Sequence, residues 1–179
     1  MKGIRVVESG EPLDTSVEII RRSFATVAEE LNLTPENAPT HPSFIILAQL
    51  EELRRKGLSF YGYFLGDRQV GFVAMERADD SLYYLEKLAV LPEYRHNGYG
   101  KELVQFVLDT AAAEGAKKLS IGIIDEQTIL KNWYKEIGFR ETGTRKFGTP
   151  AFYSWLYGDR PCLIVFPPGI SFIPAQCRI

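Results

Sequence analysis

The stretch that most constrains this chain is Leu85–Glu86–Lys87–Leu88–Ala89–Val90–Leu91–Pro92–Glu93–Tyr94–Arg95–His96–Asn97–Gly98–Tyr99–Gly100. Its first part is largely apolar and reads as a buried strand. Pro92 bends the chain, two glycines form a loop, and a helix is expected from about Lys101. Such a junction leaves backbone N–H groups of the loop and first helical turn without intrahelical acceptors, pointing one way, and that arrangement binds phosphate. Gly98 and Gly100 permit positive φ and remove side chains that would block a ligand. Arg95 can share the charge of a pyrophosphate. The spacing Arg95-x-x-Gly98-x-Gly100 is not the dinucleotide fingerprint, which carries a third glycine and an acid about 20 residues on. It is not a nucleoside-triphosphate loop either, because no Lys-Ser/Thr pair follows the glycines.

The remaining composition narrows what that loop can serve. The 179 residues suit one domain with one sizeable core. A formal net charge of -2 argues against a general nucleic-acid binder, which carries a basic excess. Two cysteines, Cys162 and Cys177, make no disulfide framework and fit a reducing, cytoplasmic setting. The scattered histidines and cysteines show no metal-ligand spacing, so no metal is expected. The N-terminus has no apolar run followed by a cleavage site, and no segment has the length of a membrane span.

In chain order, Ile4 to Val7 reads as a short strand ended by Gly10 and Pro12. Thr15 and Glu18 have capping-box spacing, and Val17, Ile20, Phe24, Val27, Ala28 and Leu31 recur at helical spacing behind them. Asn32 to Pro42 contains three prolines and is a substrate loop or a plain connector. Thr40–His41–Pro42 is expected to open a second helix, with Phe44, Leu47 and Leu50 on one face and Gly57 as its cap. Ser59 to Leu65, Gln69 to Met75 and Leu82 to Val90 read as three strands joined by hairpins. The helix from Lys101 to about Glu114 is apolar over a wide arc, so it is expected to be largely buried. With Lys118 to Ile124 as the next strand it forms a β–α–β unit, which makes its two strands parallel. A further helix carries Ile129, Leu130, Trp133, Tyr134 and Ile137 and stops at Gly138. Strands are expected at Phe139 to Thr144 and around Phe152 to Leu156. Beyond Leu156, an edge strand, a dimer contact or a strap over the core all fit the apolar run Leu163–Ile164–Val165–Phe166.

Val90–Leu91–Pro92–Glu93–Tyr94–Arg95–His96–Asn97–Gly98–Tyr99–Gly100 resembles the acyl-coenzyme A signature of the GNAT superfamily of N-acetyltransferases. Asn132–Trp133–Tyr134–Lys135–Glu136–Ile137–Gly138–Phe139 resembles that family's Tyr-x-x-x-Gly-Phe block. The resemblance covers roughly Ile4 to Leu156. It implies a mixed α/β fold: a central, mostly antiparallel sheet of six or seven strands, helices on both faces, and a splayed parallel strand pair in the middle. The domain is then expected over residues 1–156, with 157–179 an atypical tail within it or at an oligomer contact.

The resemblance also implies acetyl-coenzyme A as co-substrate. Its pyrophosphate and pantetheine arm would be held by Leu88, Ala89, Val90, Arg95, His96, Asn97, Gly98, Tyr99, Gly100, Lys101, Gln127 and Asn132. Gln127 stands where relatives often have Asn. Tyr134 would act as general acid toward the thioester sulfur, and a phenol with a reference pKa near ~10 suits that task. A core aromatic with its hydroxyl at the rim fits the same periodicity. Glu86 is a carboxylate within an apolar strand, which is costly unless used or paired. It is a candidate base for the acceptor amine, with a salt bridge to the neighbours of Lys87 or an exit at the sheet edge as the alternative. The expected activity is direct acetyl transfer to a primary amine, a small molecule rather than a protein, with a homodimer compatible. A non-catalytic coenzyme A sensor on the same fold is the alternative. No nucleic-acid or membrane partner is expected.

Overall fold

The computed structural model describes residues 2–124, 127–142 and the backbone of strand 160–165. Its elements are β1 (Lys2–Val6), α1 (Asp14–Glu30), α2 (Leu47–Arg55), β2 (Ser59–Leu65), β3 (Arg68–Arg77), β4 (Leu82–Val90), α3 (Tyr99–Ala113), β5 (Lys118–Ile123), α4 (Thr128–Ile137), β6 (Arg140–Glu141) and β7 (Arg160–Val165). The strands form one seven-stranded sheet in the order β1-β2-β3-β4-β5-β7-β6. Every pairing is antiparallel except β4 with β5, the two strands joined through α3. The mixed fold with a parallel pair in mid-sheet is therefore as expected. The last expected strand, Phe152 to Leu156, lies outside the described residues.

Period-2 alternation in β3 sorts side chains onto the two faces. Phe72 and Ala74 meet Ile19, Ile20 and Leu50 of α1 and α2. Val73 and Met75 meet Leu103, Val107 and Ala111 of α3, together with Tyr134 and Phe139. The wide apolar arc of α3 is buried as its sequence implied. Gly71 lets that helix close on the sheet, for a Cβ there would lie 3.0 Å from Leu103 Cδ1 and 3.1 Å from Tyr63 Cβ.

The structure moves several boundaries. The expected Thr15/Glu18 cap is unused: α1 opens two residues earlier, with Leu13 at the cap position and no side-chain cap bond. Leu13 is buried in the α1/α2 core, and burying a leucine stabilises by more than the roughly 1 kcal/mol of a hydroxyl cap. The second helix does not begin at Thr40. Pro42–Phe44 is a 3₁₀ turn, Ile45 is extended and buried, and α2 starts at Leu47. α3 starts at Tyr99 rather than Lys101, because Gly98 takes the cap position at φ +83°. Arg160–Val165, within the tail left open by sequence, is an interior strand bonded to β5 on one side and β6 on the other.

Candidate active site

The site begins with a fault in the sheet. Between β3 and β4, Phe72 faces Ala89 and Ala74 faces Glu86, so β4 spends one extra residue there. Lys87 occupies that bulge at φ +52°, a left-handed conformation unusual for lysine. The extra residue shifts the alternation. Leu85 lies on the α3 face, and past the bulge that face is taken by Leu88 and Val90, while Ala89 and Leu91 turn to the α1/α2 face.

The bulge also marks where β4 leaves β5. Their parallel register runs from Leu82↔Lys118 to Leu85↔Ile121 and stops. Past it, Val90 still faces Gly71 of β3, and Gly122 and Ile123 of β5 still face Pro161 and Arg160 of β7. Among the described residues, the two strands thus open into a V whose facing edges are not bonded to each other. This is the splayed pair that the family resemblance implied.

The glycine loop caps one arm of the V. Pro92–Tyr94 forms a 3₁₀ turn, His96 and Gly98 both take positive φ, and α3 follows. The Asn97 amide donates to the carbonyls of Tyr94 and Arg95 at 3.2 and 3.0 Å, folding the loop on itself. The Glu102 N–H reaches back to Gly98 O at 3.0 Å, so the N–H groups of Tyr99, Gly100 and Lys101 belong to the unpaired first turn. His96, Asn97, Gly98 and Lys101 are exposed.

Arg95, the expected partner of a pyrophosphate, is engaged within the fold. Its guanidinium donates to Ser23 O at 2.7 Å, to Thr26 Oγ1 at 3.3 Å and to Val90 O at 3.3 Å. It points into α1 and the end of β4, because those backbone and hydroxyl acceptors satisfy its donors within the fold.

α4 supplies the other wall. The Trp133 indole lies beside the first turn of α3: a Cβ on Gly100 would come 3.7 Å from Trp133 Cζ2 and 3.8 Å from Val90 Cγ2. Tyr134 is buried edge-on to Trp133 at 4.7 Å and to Phe139 at 5.4 Å. The expected apolar face of α4 is rotated. Ile129 is 87% exposed and Leu130 also points outward, whereas Lys131, one turn before Tyr134, is buried. The Lys131 stem is covered while its ammonium reaches to 4.0 Å from Glu141 Oε1. Asn132 is exposed on the same helix. Gln127, at its cap, reaches Glu30 Oε2 at 3.5 Å and so bridges to the end of α1.

Glu86 stands at the bulge on the α1/α2 side. Burial pushes its carboxyl above the usual range; Lys87, with Nζ 3.4 Å from Glu86 Oε2, pulls it down, and Glu76 adds a smaller push up. A salt bridge forms, with the adjacent Lys87 itself rather than with its neighbours, and that lysine's side chain is only 11% exposed. A carboxylate whose pKa is raised by burial is a stronger base than an exposed one. Sequence reading missed Ser23, Thr26 and Lys87. The first two carried a faint signal, as small hydroxyls interleaved with the apolar stripe of α1; a strand bulge has no comparable signature. Among the described residues no cluster suits a metal ion, and no helix is long and apolar enough to cross a membrane.

Known proteins resemble the chain. An uncharacterised N-acetyltransferase of Mycobacterium bovis is 36% identical over 80 residues, 45% of this chain and 51% of that protein. The chain thus spans about half the length of the curated relatives it matches. A GNAT acetyltransferase from Elizabethkingia anophelis, crystallised with acetyl-CoA bound, superposes with a TM-score of 0.61 at 18% identity, covering 90% of this chain and 95% of that one. The ribosomal-protein-S18-alanine N-acetyltransferase of Escherichia coli superposes with a TM-score of 0.68 at 16% identity, covering 96% of this chain and 100% of that one. These two show the fold. The model of the acetyltransferase (GNAT) family matches residues 24–139, from the middle of α1 through the glycine loop to the end of the Tyr134 block. The chain belongs to the GNAT family.

Proposed function

We propose that this chain is an N-acetyltransferase that moves an acetyl group from acetyl-coenzyme A directly to a primary amine of a small molecule. The observation that carries this reading is the opening of β4 from β5 at the Lys87 bulge, directly before a glycine loop that presents the first turn of α3. The residues fit coenzyme A. Strand edges that are not bonded to each other suit the amides of a pantetheine arm, and N–H groups at a helix start suit a pyrophosphate.

When bound, acetyl-coenzyme A supplies an acetyl group activated as a thioester. This chain's residues supply the rest. The N–H groups of Tyr99, Gly100 and Lys101 take up phosphate charge. The β4 edge at Leu88 and Val90 orients the arm by backbone pairing. Glu86 accepts the proton that the acceptor ammonium must lose before its nitrogen can attack. Tyr134 returns a proton to the departing sulfur. The family match and the acetyl-CoA in the Elizabethkingia structure support this assignment. A cytoplasmic location and a possible homodimer are part of the proposal.

The test is thiol release from acetyl-coenzyme A over a panel of primary amines, with mass spectrometry of the products. Thiol release matched by acetylated amine is expected. Tight coenzyme A binding with no thiol release from any amine would replace the enzyme reading with that of a sensor.

A further inference from the structure

Arg95 is the charged residue built into the glycine loop, and its donors are already engaged. Nη2 donates to Ser23 O at 2.7 Å, Nη1 and Nη2 reach Thr26 Oγ1 at 3.3 Å, and Nε donates to Val90 O at 3.3 Å. Thr26 Oγ1 donates in turn to Ser23 O at 3.1 Å, so the hydroxyl is oriented to accept from the guanidinium. One side chain therefore joins three elements: the end of β4, the loop, and α1. A second arginine repeats the tie. Arg22 Nη2 donates to both carboxylate oxygens of Glu93, two residues before Arg95, at 3.1 and 3.2 Å. The two contacts differ in kind. Arg22 and Glu93 are exposed partners, worth little in water. Arg95 is half-buried against oriented neutral acceptors, where each bond is costly to leave unmade.

We propose that Arg95 is a positioning residue that locks the glycine loop onto α1 through Ser23 and Thr26, rather than a ligand of the phosphates. α1 covers the sheet face on which Glu86 stands, so the lock makes the phosphate loop and the acceptor-side helix one rigid unit. The inference rests on the reading of the loop as a coenzyme A site.

Thr26→Val separates the two roles, because it removes an acceptor from Arg95 without touching the loop or any phosphate. If Arg95 positions the loop, Thr26→Val weakens coenzyme A binding in calorimetric titration by about tenfold, the scale of one charge-assisted hydrogen bond. Thr26→Ser, which keeps the hydroxyl, restores wild-type affinity. Arg95→Gln weakens binding at least as much, and the double variant Thr26→Val/Arg95→Gln is no weaker than Arg95→Gln alone, because both act through one contact. If Arg95 were a phosphate ligand, Thr26→Val would leave affinity unchanged or improve it, and that result overturns the proposal.

Amide hydrogen exchange of the unliganded protein reads the lock independently of any ligand. Faster exchange at His96 to Gly100 in Thr26→Val and Arg95→Gln, with the β2–β3 core unchanged, is expected. Unchanged loop exchange in both variants overturns the lock, even in a protein that binds no coenzyme A. Absence of binding by the wild-type chain would instead refute the assignment of the site.

Discussion

His41 makes the fold sensitive to acid. It caps the 3₁₀ turn, with Nδ1 2.7 Å from Ser43 Oγ and accepting from the Ser43 N–H at 3.3 Å. Its ring sits edge-on to Phe24 at 5.8 Å and to Phe44 at 6.1 Å, and it is 1% exposed. Burial lowers its pKa from 6.5 to about 4. The native state therefore holds the ring neutral where the unfolded chain protonates it. That contribution is complete above pH 6.5, shrinks as pH falls, and is gone below about 4. The full span is worth about 3 kcal/mol, of which about 2 kcal/mol is lost between pH 7.5 and 5. In a domain of this size that corresponds to a fall in Tm of about 6 °C. Urea unfolding of the wild type and His41→Asn at both pH values isolates the effect, because Asn keeps a capping acceptor without a titrating ring. Glu86, whose raised pKa acts in the opposite direction, is common to both proteins and cancels. The stability advantage of wild type over His41→Asn is expected to shrink by about 2 kcal/mol on acidification. Parallel pH dependences would refute the argument.

Three substitutions probe the site. Glu86→Gln is expected to lower kcat/KM by about 10²–10⁴ fold and remove its acid limb, which reports a base active only when deprotonated. Lys87→Gln removes the ammonium that holds Glu86 down and moves that limb to higher pH in the wild-type Glu86 background; a limb unmoved by either change removes Glu86 from the chemistry. Tyr134→Phe leaves coenzyme A affinity near wild type and lowers kcat, again by about 10²–10⁴ fold; an equal turnover would exclude Tyr134 as the acid. At Gly98 a Cβ meets nothing nearer than Glu102 Oε1 at 4.0 Å, so Gly98→Ala costs about 1–2 kcal/mol of left-handed backbone strain without a clash. Gly98→Asp adds a charge opposing the phosphates and is expected to abolish coenzyme A binding, whereas equal affinity in both variants would remove the loop from the site.

What the sequence made legible followed from local periodicity and from glycine chemistry. The alternation of β3, the wide apolar arc of α3, the β–α–β unit and the Gly98 loop are each set by residues close in the chain. The misreadings arose where a distant contact outbid a local signal. Leu13 displaced the Thr15 cap by entering the core. α4 turned Lys131 inward, because Tyr134 fixed the helix face and Glu141 met the ammonium. The acceptors that Arg95 reaches on α1, about seventy residues earlier, were hidden as well, since spacing within the loop does not encode them. The Lys87 bulge was illegible for a related reason: it exists only as a register difference between two strands.

The central claim is that the V between β4 and β5 and the start of α3 together hold coenzyme A. Backbone amide chemical shifts of labelled protein, titrated first with pantetheine and then with coenzyme A, test it most directly. The account predicts that pantetheine moves Leu88 and Val90, and that coenzyme A moves these and also Gly98, Tyr99, Gly100 and Lys101. Saturable binding that leaves those amides unmoved, or no binding of coenzyme A, would contradict it.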